Sequence, residues 1–223
     1  MSPLPQLRGL GAPNAVAGRV QGASRDALAA LKLFAGDPVG GLARAYEAIG
    51  AAKAQSTGIA FGVVSVACFV LGGYLTFPFK EGLFDFLGFG GVLKCLLFAV
   101  MPFLCATVGG ITVRRVFGGQ GSTGGDVFVA GAALLPVSLC MLLAGILGLA
   151  NIEVVAVLSV FAGCLAVLML FSGYTRIARL SDRAGSLSVP IVVLLGVWLT
   201  KILATSVLSG PGNAGMPPQY FNY

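Results

Sequence analysis

Five long runs of almost uninterrupted apolar residues dominate the pattern of this chain. An α-helix crosses a bilayer core about 30 Å thick with about 20 apolar residues, because each residue advances the helix by about 1.5 Å. Runs of that length occur at Thr57–Phe79, Gly91–Val113, Val127–Ala150, Val154–Tyr174 and Ser188–Leu208. The pattern therefore predicts an all-α fold, a polytopic transmembrane bundle with five membrane-spanning helices. Asn151, Ile152 and Glu153 alone separate the third and fourth runs, so these two form a tight helical hairpin.

Two shorter segments before the first run carry helix-start signals. Ser24 is placed to cap a helix through Phe34, and Asp37 followed by Pro38 is a second start signal. The apolar positions of the second segment recur at steps of three and four residues: Val39, Leu42, Tyr46 and Ile49. This stripe fits a helix lying in the membrane interface and equally a helix packed under the bundle, and both interpretations stay open.

These features divide the chain into four parts. Residues 1–36 are expected to be a flexible basic arm with a candidate short helix, and residues 37–56 an amphipathic helix beside the membrane. Residues 57–208 form the five-helix membrane domain, and residues 209–223 a flexible tail. The Pro-, Gly- and Ala-rich arm has no apolar segment ending in a cleavage site, so we interpret it as a disordered arm rather than a targeting peptide.

Basic residues lie almost entirely in alternate connections between the runs. Eleven precede the first run or lie between the second and third or the fourth and fifth runs: Arg8, Arg19, Arg25, Lys32, Arg44, Lys53, Arg114, Arg115, Arg176, Arg179 and Arg183. In the connections on the opposite side, Lys80 is the only basic residue. The positive-inside rule therefore predicts a cytoplasmic N-terminus and an external C-terminus.

Composition excludes most functions of soluble proteins. The chain is 57% hydrophobic and 10% charged, whereas soluble domains carry roughly 25% charge. Its net charge of +6 follows the membrane boundaries, which argues against nucleic acid as a partner. There is no histidine, and the cysteines at 68, 95, 105, 140 and 164 lie in apolar runs without a CxxC pair. We therefore expect no catalytic site, no metal and no cofactor, and interpret the cysteines as small buried apolar residues.

The glycine-rich connection from Gly118 to Gly125 contains a formal GxGxxG at Gly119, Gly121 and Gly124. A dinucleotide site needs this motif between a strand and a helix of a βαβ unit, whereas here it joins two membrane helices. We interpret it as a turn that ends the second helix and leads into the third, with Asp126 as the cap of the third.

Two lysines lie inside the predicted crossings. Lys94 is close to the external end of the second helix, where its stem can reach the headgroups. Lys201 lies about 10 Å from the external end of the fifth helix, where a charge costs about 2 to 3 kcal/mol. Lys201 reaches the interface, pairs with an acid such as Glu153 or Asp85, or lines a polar cavity, and the sequence leaves these alternatives open.

Small residues and prolines recur within the runs. Gly58 and Gly62 form a GxxxG step, which favours close approach of helices, by default within this bundle. Pro102 and Pro136 lie in the middle of the second and third runs, so both helices are expected to be kinked.

Several of these stretches resemble one family. The stretch Phe117-Gly118-Gly119-Gln120-Gly121-Ser122, followed by an apolar run with Pro136, is similar to the central signature of the bacterial branch of the Yip family. The segment from Asp37 to Ile49 resembles the family's cytoplasmic lead-in, and Tyr174 to Ala184 its basic fourth loop. The resemblance implies a five-pass protein with a cytoplasmic N-terminus, most simply in a bacterial inner membrane.

The resemblance does not extend to the motif of the eukaryotic members, which are named for binding Ypt/Rab GTPases. In place of Asp-Leu-Tyr-Gly-Pro the chain has Asp126-Val127-Phe128-Val129-Ala130, which keeps only the acid. This departure makes GTPase binding doubtful and favours the bacterial-type branch.

The functional expectation is a non-enzymatic scaffold or partner-binding protein in membrane organisation or trafficking, which binds the bilayer and other membrane proteins or further copies of itself. Its expected contacts with partners or lipid are Leu42, Tyr46, Arg114, Arg115, Arg176, Arg179 and Arg183. The competing hypothesis is a small-solute transporter or channel that uses Lys201. An intramembrane enzyme is a third and weaker hypothesis, because the crossings contain neither histidine nor a carboxylate pair.

Overall fold

Helices make up most of the part of the chain that the structure describes. The computed structural model describes residues 22, 25–33, 36–76, 83–148 and 152–208, with the main chain alone at 76, 83–95, 152, 204 and 206–208. Its helices are α1 (Gly41–Ile49), α2 (Ala51–Thr76), α3 (Leu83–Val116), α4 (Thr123–Ile146), α5 (Ile152–Ser172) and α6 (Asp182–Leu208). A π-helical turn, Gly173–Ile177, extends α5, and residues 25–33 are also helical.

The predicted all-α membrane bundle is confirmed. Within the described ranges, α2 to α6 are the five helices long and apolar enough to cross a membrane, as expected of an integral multi-pass membrane protein. Four of them begin several residues before their apolar runs: α2 starts at Ala51 and α6 at Asp182. The apolar run marks the length in contact with lipid, whereas the helix continues into polar sequence wherever its backbone hydrogen bonds can be completed.

Helix α4 is the centre of the bundle. Of its membrane-spanning length 56% is buried, against 17% to 33% for the other four helices. The most extensive packing among the described elements is between α2 and α4, α5 also packs on α4, and α6 packs mainly on α3. The order of the helices in space therefore differs from their order in the chain.

Glycines permit the close contact of α2 with α4. A Cβ at Gly58 would lie 2.6 Å from the Cα of Phe128, and one at Gly72 would lie 2.5 Å from the carbonyl carbon of Met141. A Cβ at Gly131 would meet the carbonyl oxygen of Gly58. The GxxxG expectation holds for Gly58 against α4, whereas Gly62 faces the ring of Phe103 on α3. Backbone meets backbone at this seam, which side chains on either helix would prevent.

Helix α1 packs under the bundle, which decides between the two arrangements that its stripe allowed. Leu42 and Ala45 are fully buried, and the ring of Tyr46 lies 5.8 Å from that of Phe128 on α4. Ala30, in the preceding helical segment, is also buried in the core. The apolar stripe therefore contacts protein.

Two further expectations meet the structure here. The cysteines are less buried than predicted: Cys164 is exposed, and Cys68, Cys105 and Cys140 are partly exposed. In a membrane bundle an apolar side chain is removed from water by lipid as well as by protein. An apolar sequence therefore does not predict burial inside the protein. Pro102 and Pro136 lie inside continuous helices, as does Pro190. Ser24, Phe34, Lys80, Asn151 and the tail 209–223 lie outside the described residues.

Candidate functional site

Three connections that are distant in sequence meet at one end of the bundle, which we call the basic end. They are α1 with its preceding turn, the α3–α4 connection, and the segment between α5 and α6. The Tyr46 and Ser122 hydroxyls are hydrogen-bonded at 3.3 Å, and the Ser172 hydroxyl donates to the Val39 carbonyl at 3.0 Å. The Gly121 N–H donates to the carbonyl of Ala178 at 3.3 Å. These bonds join all three connections, so the basic segments share one end.

The glycines of the α3–α4 connection are required by its close approach to the α5–α6 segment. A Cβ at Gly119 would lie 2.7 Å from the Ala178 carbonyl oxygen, and a Cβ at Gly121 would lie 2.6 Å from the Ala178 Cα. Gly118 has a positive φ of 69°, which ends α3 in the left-handed conformation. The signature loop is therefore a packing device, with its backbone pressed against another backbone.

Ser122, rather than Asp126, caps α4. The Ser122 backbone is extended, and its hydroxyl accepts a hydrogen bond from the Gly125 N–H at 3.1 Å. The expectation that Asp126 is the cap is wrong, because its carboxylate lies one turn into the helix and binds an arginine instead.

A buried ion pair connects α3 to α4. The Nε of Arg114 donates to Oδ2 of Asp126 at 2.8 Å, with 14% of the arginine side chain and 2% of the aspartate side chain exposed. A guanidinium nitrogen of Arg114 also donates to the Thr123 hydroxyl at 3.3 Å. Arg114 is therefore committed to the interior, which corrects its assignment as a contact for a partner or lipid.

Tyr174 completes this polar cluster inside the bundle. It is 1% exposed, and its hydroxyl has no hydrogen-bond partner within the described part of the chain. A Cβ at Gly110 would lie 3.4 Å from the Tyr174 hydroxyl and 3.6 Å from the Cβ of Asp126, so both side chains flank the same glycine of α3. Sequence reasoning missed the cluster, although an isolated acid one turn into an apolar helix, opposite a basic pair, was a usable signal.

Four arginines lie exposed around this cluster. Arg115, Arg176, Arg179 and Arg183 are exposed, and none forms an ion pair within the described ranges. Arg179 has a positive φ of 54°, and the adjacent Leu180 N–H donates to the Tyr174 carbonyl at 3.0 Å. The backbone next to Arg179 is thus hydrogen-bonded to the buried Tyr174.

Three further predicted residues, Leu42, Tyr46 and Pro136, are buried or half-buried. Leu42, predicted as a contact, is a core residue because its side chain is fully buried, and Tyr46 is half-buried against Phe128. Pro136 lies in α4 about 21 Å along the helix from Ser122, so the two parts of the family signature are far apart.

Lys201 lies on the outer surface of α6. Its side chain is exposed and forms no ion pair with the described residues. This position matches the alternative in which its stem carries the ammonium towards the headgroups. The side chains of Lys94 and Asp85 lie outside the described part of the chain.

The described residues do not bring three His, Cys, Asp or Glu side chains together at one point. Comparisons of the chain with protein-family models, with curated proteins and with solved structures found no match.

Proposed function

We propose that this protein is a non-enzymatic scaffold of the membrane, similar to the bacterial-type Yip proteins, whose basic end binds acidic surfaces of other membrane proteins. The observation that carries the proposal is the set of four exposed arginines at one end, none of which forms an ion pair with a residue that the structure describes. Four like charges at one end repel one another, so their arrangement destabilises the isolated protein slightly and favours a complex with an anionic partner.

The conformation of Arg179 supports a role in binding. Arg179 has left-handed backbone, a conformation that glycine usually adopts and that costs a residue with a Cβ about 1 to 2 kcal/mol. Arginine is also enriched among residues that dominate the energy of protein interfaces. An arginine at a position that favours glycine is explained if its side chain is needed in a complex.

The orientation follows from the distribution of charge. We infer that the basic end faces the cytoplasm of a bacterial cell, with the N-terminus on that side and the C-terminus outside. The arginine-rich connections that meet at the basic end support this orientation under the positive-inside rule.

The test is crosslinking in membranes of cells that produce the full chain at its native level. We expect crosslinked complexes with other membrane proteins, and we expect the triple substitution Arg176→Gln, Arg179→Gln and Arg183→Gln to abolish them. The matched control is Arg44→Gln with Lys53→Gln, which removes two cations of the same end that are already paired with Asp37 and Asp26. Recovery of the monomer alone from the unaltered chain, or equal loss in both variants, would reject the proposal.

A transporter that uses Lys201 predicts a different result. Because Lys201 is exposed on the outside of α6, we expect Lys201→Leu to leave the permeability of reconstituted liposomes to ions and small metabolites unchanged. A flux in the unaltered protein that Lys201→Leu abolishes would replace the scaffold with a transporter.

A further inference from the structure

A cleft lies between the outer faces of α3 and α6, near the middle of their membrane-spanning lengths. Its volume is about 450 Å³, and its walls run from Met101 to Val113 on α3 and from Ile191 to Leu199 on α6. Thr112 carries the one hydroxyl among the lining residues, and that hydroxyl already donates to the Val108 carbonyl at 2.8 Å. The cleft therefore offers an occupant an apolar surface, with the Cys105 thiol as a weak hydrogen-bonding group.

Two of the exposed arginines lie beyond the cleft on the side of the basic end, Arg115 on α3 and Arg183 on α6. Gly109 fixes the register of the two helices, because a Cβ there would lie 2.7 Å from Cγ1 of Val192. The helices are antiparallel, so Arg115 lies about 9 Å and Arg183 about 13 Å beyond this crossing, towards the same end. Arg115 lies about 3 Å along α3 beyond the lining residue Val113, and Arg183 lies about 12 Å along α6 beyond the lining residue Ile191.

The spacing along each helix continues the walls into the arginines. Val108, Thr112 and Arg115 follow one another at steps of four and three on α3, the spacing of residues on one helix face. On α6, Arg183, Leu187 and Ile191 follow at steps of four, and all three are exposed. The apolar stripes of the cleft and the arginines therefore share faces.

The geometry points to an anionic phospholipid as the occupant, with one acyl chain in the cleft and its phosphate between Arg115 and Arg183. The guanidinium group is suited to phosphate because it donates two parallel hydrogen bonds, and at the membrane surface each arginine contributes about 1 kcal/mol towards an anionic lipid. The inference shares Arg115 and Arg183 with the proposed scaffold function, but its test requires only the isolated protein and lipid, so either proposal can fail without the other.

The arginines favour a phospholipid over a helix of a second copy or of a partner as the occupant. A phospholipid joins a phosphate to acyl chains, so one molecule can contact the apolar walls and the arginines together. A flexible hydrocarbon chain can also follow an open groove.

The test uses the purified full chain in nanodiscs that contain phosphatidylglycerol or phosphatidylcholine with a photoreactive group on one acyl chain. Illumination followed by peptide mass spectrometry locates the adducts. We expect adducts concentrated on the cleft walls of α3 and α6, and more of them with phosphatidylglycerol. Each of Arg115→Gln and Arg183→Gln should lower the phosphatidylglycerol adducts about fivefold, the factor that corresponds to about 1 kcal/mol.

The matched control is Arg176→Gln with Arg179→Gln, which removes two exposed cations of the same end that do not continue the cleft walls. We expect this pair to leave the adducts in the cleft largely unchanged. If Arg176→Gln with Arg179→Gln lowers the adducts as much as Arg115→Gln or Arg183→Gln does, the effect is general electrostatic attraction and the proposal is overturned. Equal numbers of adducts with the two lipids would also overturn it. Crosslinks between two copies through the cleft would also overturn it.

A second variant does not depend on the arginines. Val108 is 59% exposed and lines the cleft. The larger side chain in Val108→Trp should therefore fill part of the cleft without entering the core. We expect Val108→Trp to remove the adducts from the cleft walls and to leave those on the exposed face of α5 intact. Persistence of the adducts in the cleft would contradict the assignment.

Discussion

At the scale of residues, the ion pair of Arg114 with Asp126 is the contact with the largest consequence for stability. Both charges are withdrawn from water, and the pair joins the end of α3 to the start of α4. A buried charge that loses its partner costs more than the pair contributes, because the remaining charge stays desolvated. By contrast, the exposed pairs Arg44–Asp37 and Lys53–Asp26 contribute little.

Removal of one partner should therefore harm the protein more than removal of both. We expect Asp126→Ala to lower the free energy of unfolding by roughly 3 kcal/mol, since it leaves the Arg114 guanidinium unpaired. The double variant Arg114→Leu with Asp126→Leu should be less destabilised than either single replacement. Thermal unfolding in one mild detergent at one scan rate ranks the variants, and a loss in the double variant equal to the sum of the singles would contradict this reading.

The stability of the turn before α1 depends on pH through the carboxyl group of Asp37. Its Oδ1 accepts from the Gly40 N–H at 2.7 Å and its Oδ2 from Arg44 at 2.5 Å, and the first of these bonds, followed by the Arg44 contacts, lowers the pKa of the carboxyl. A lowered pKa in the folded state means that the ionised carboxylate stabilises the turn fully above about pH 4. This stabilisation is lost as the pH falls through the lowered pKa.

Hydrogen exchange at the Gly40 amide measures this effect. After correction for intrinsic exchange rates, we expect protection to be constant from pH 7 to pH 5 and to fall in more acidic solution. Asp37→Asn keeps an acceptor oxygen without a titrating group, so its protection should not change over this range. A parallel fall in the Asn variant would assign the change to another group.

At the scale of elements, the α2–α4 seam determines how closely the bundle packs. Without water to drive helices together, association in a membrane depends on van der Waals contact and therefore on the distance between backbones. Gly58 and Gly131 face each other across the seam, where the Cβ of either residue would meet backbone of the other helix. Backbone atoms cannot move aside as a flexible side chain can.

A methyl group at the seam should therefore separate the helices. We expect Gly58→Ala to destabilise the protein by about 1 to 3 kcal/mol, in spite of the gain of up to about 1 kcal/mol in helix propensity. Gly73→Ala is the matched control in the same helix, because a Cβ there has nothing within 4 Å. The control should be neutral or slightly stabilising in the same unfolding assay, and equal effects at the two positions would show that the seam is not tightly packed.

At the scale of the whole molecule, one end of the bundle is basic and held together by hydrogen bonds between distant segments. The α3–α4 connection contacts the segment after α5, and α1 contacts both. Such an end is suited to present charge in a fixed arrangement, whereas flexible loops would have to be ordered on binding.

Labelling of cysteine in intact cells tests which side of the membrane this end faces. Gln120 is exposed in the α3–α4 connection, and the native cysteines lie in apolar runs. We expect Gln120→Cys to react with a membrane-impermeant maleimide only after the cells are permeabilised, and an epitope added after Tyr223 to be accessible without permeabilisation. Reaction of Gln120→Cys in intact cells would reverse the orientation.

The number of helices and the grouping of the basic segments were predictable, because each depends on local sequence. About 20 apolar residues define a crossing, and alternate connections of an antiparallel bundle must meet at the same end. The contacts within that end were not predictable. Arg114 points inward and Arg115 outward because of the position of Asp126, and that position is set by the packing of α4 against α3.

The amino-acid sequence alone determined that the chain forms five membrane-crossing helices and that most of its basic residues lie in connections at one end, because apolar length and charge are properties of the residues themselves. Only the tertiary structure decided which of these residues are available. It placed Leu42, Arg114 and Tyr174 in the interior and left Arg115, Arg176, Arg179 and Arg183 at the surface. In a membrane an apolar helix face is about equally stable against lipid and against protein. Contacts between helices, and not hydrophobicity, therefore determine which residues are buried.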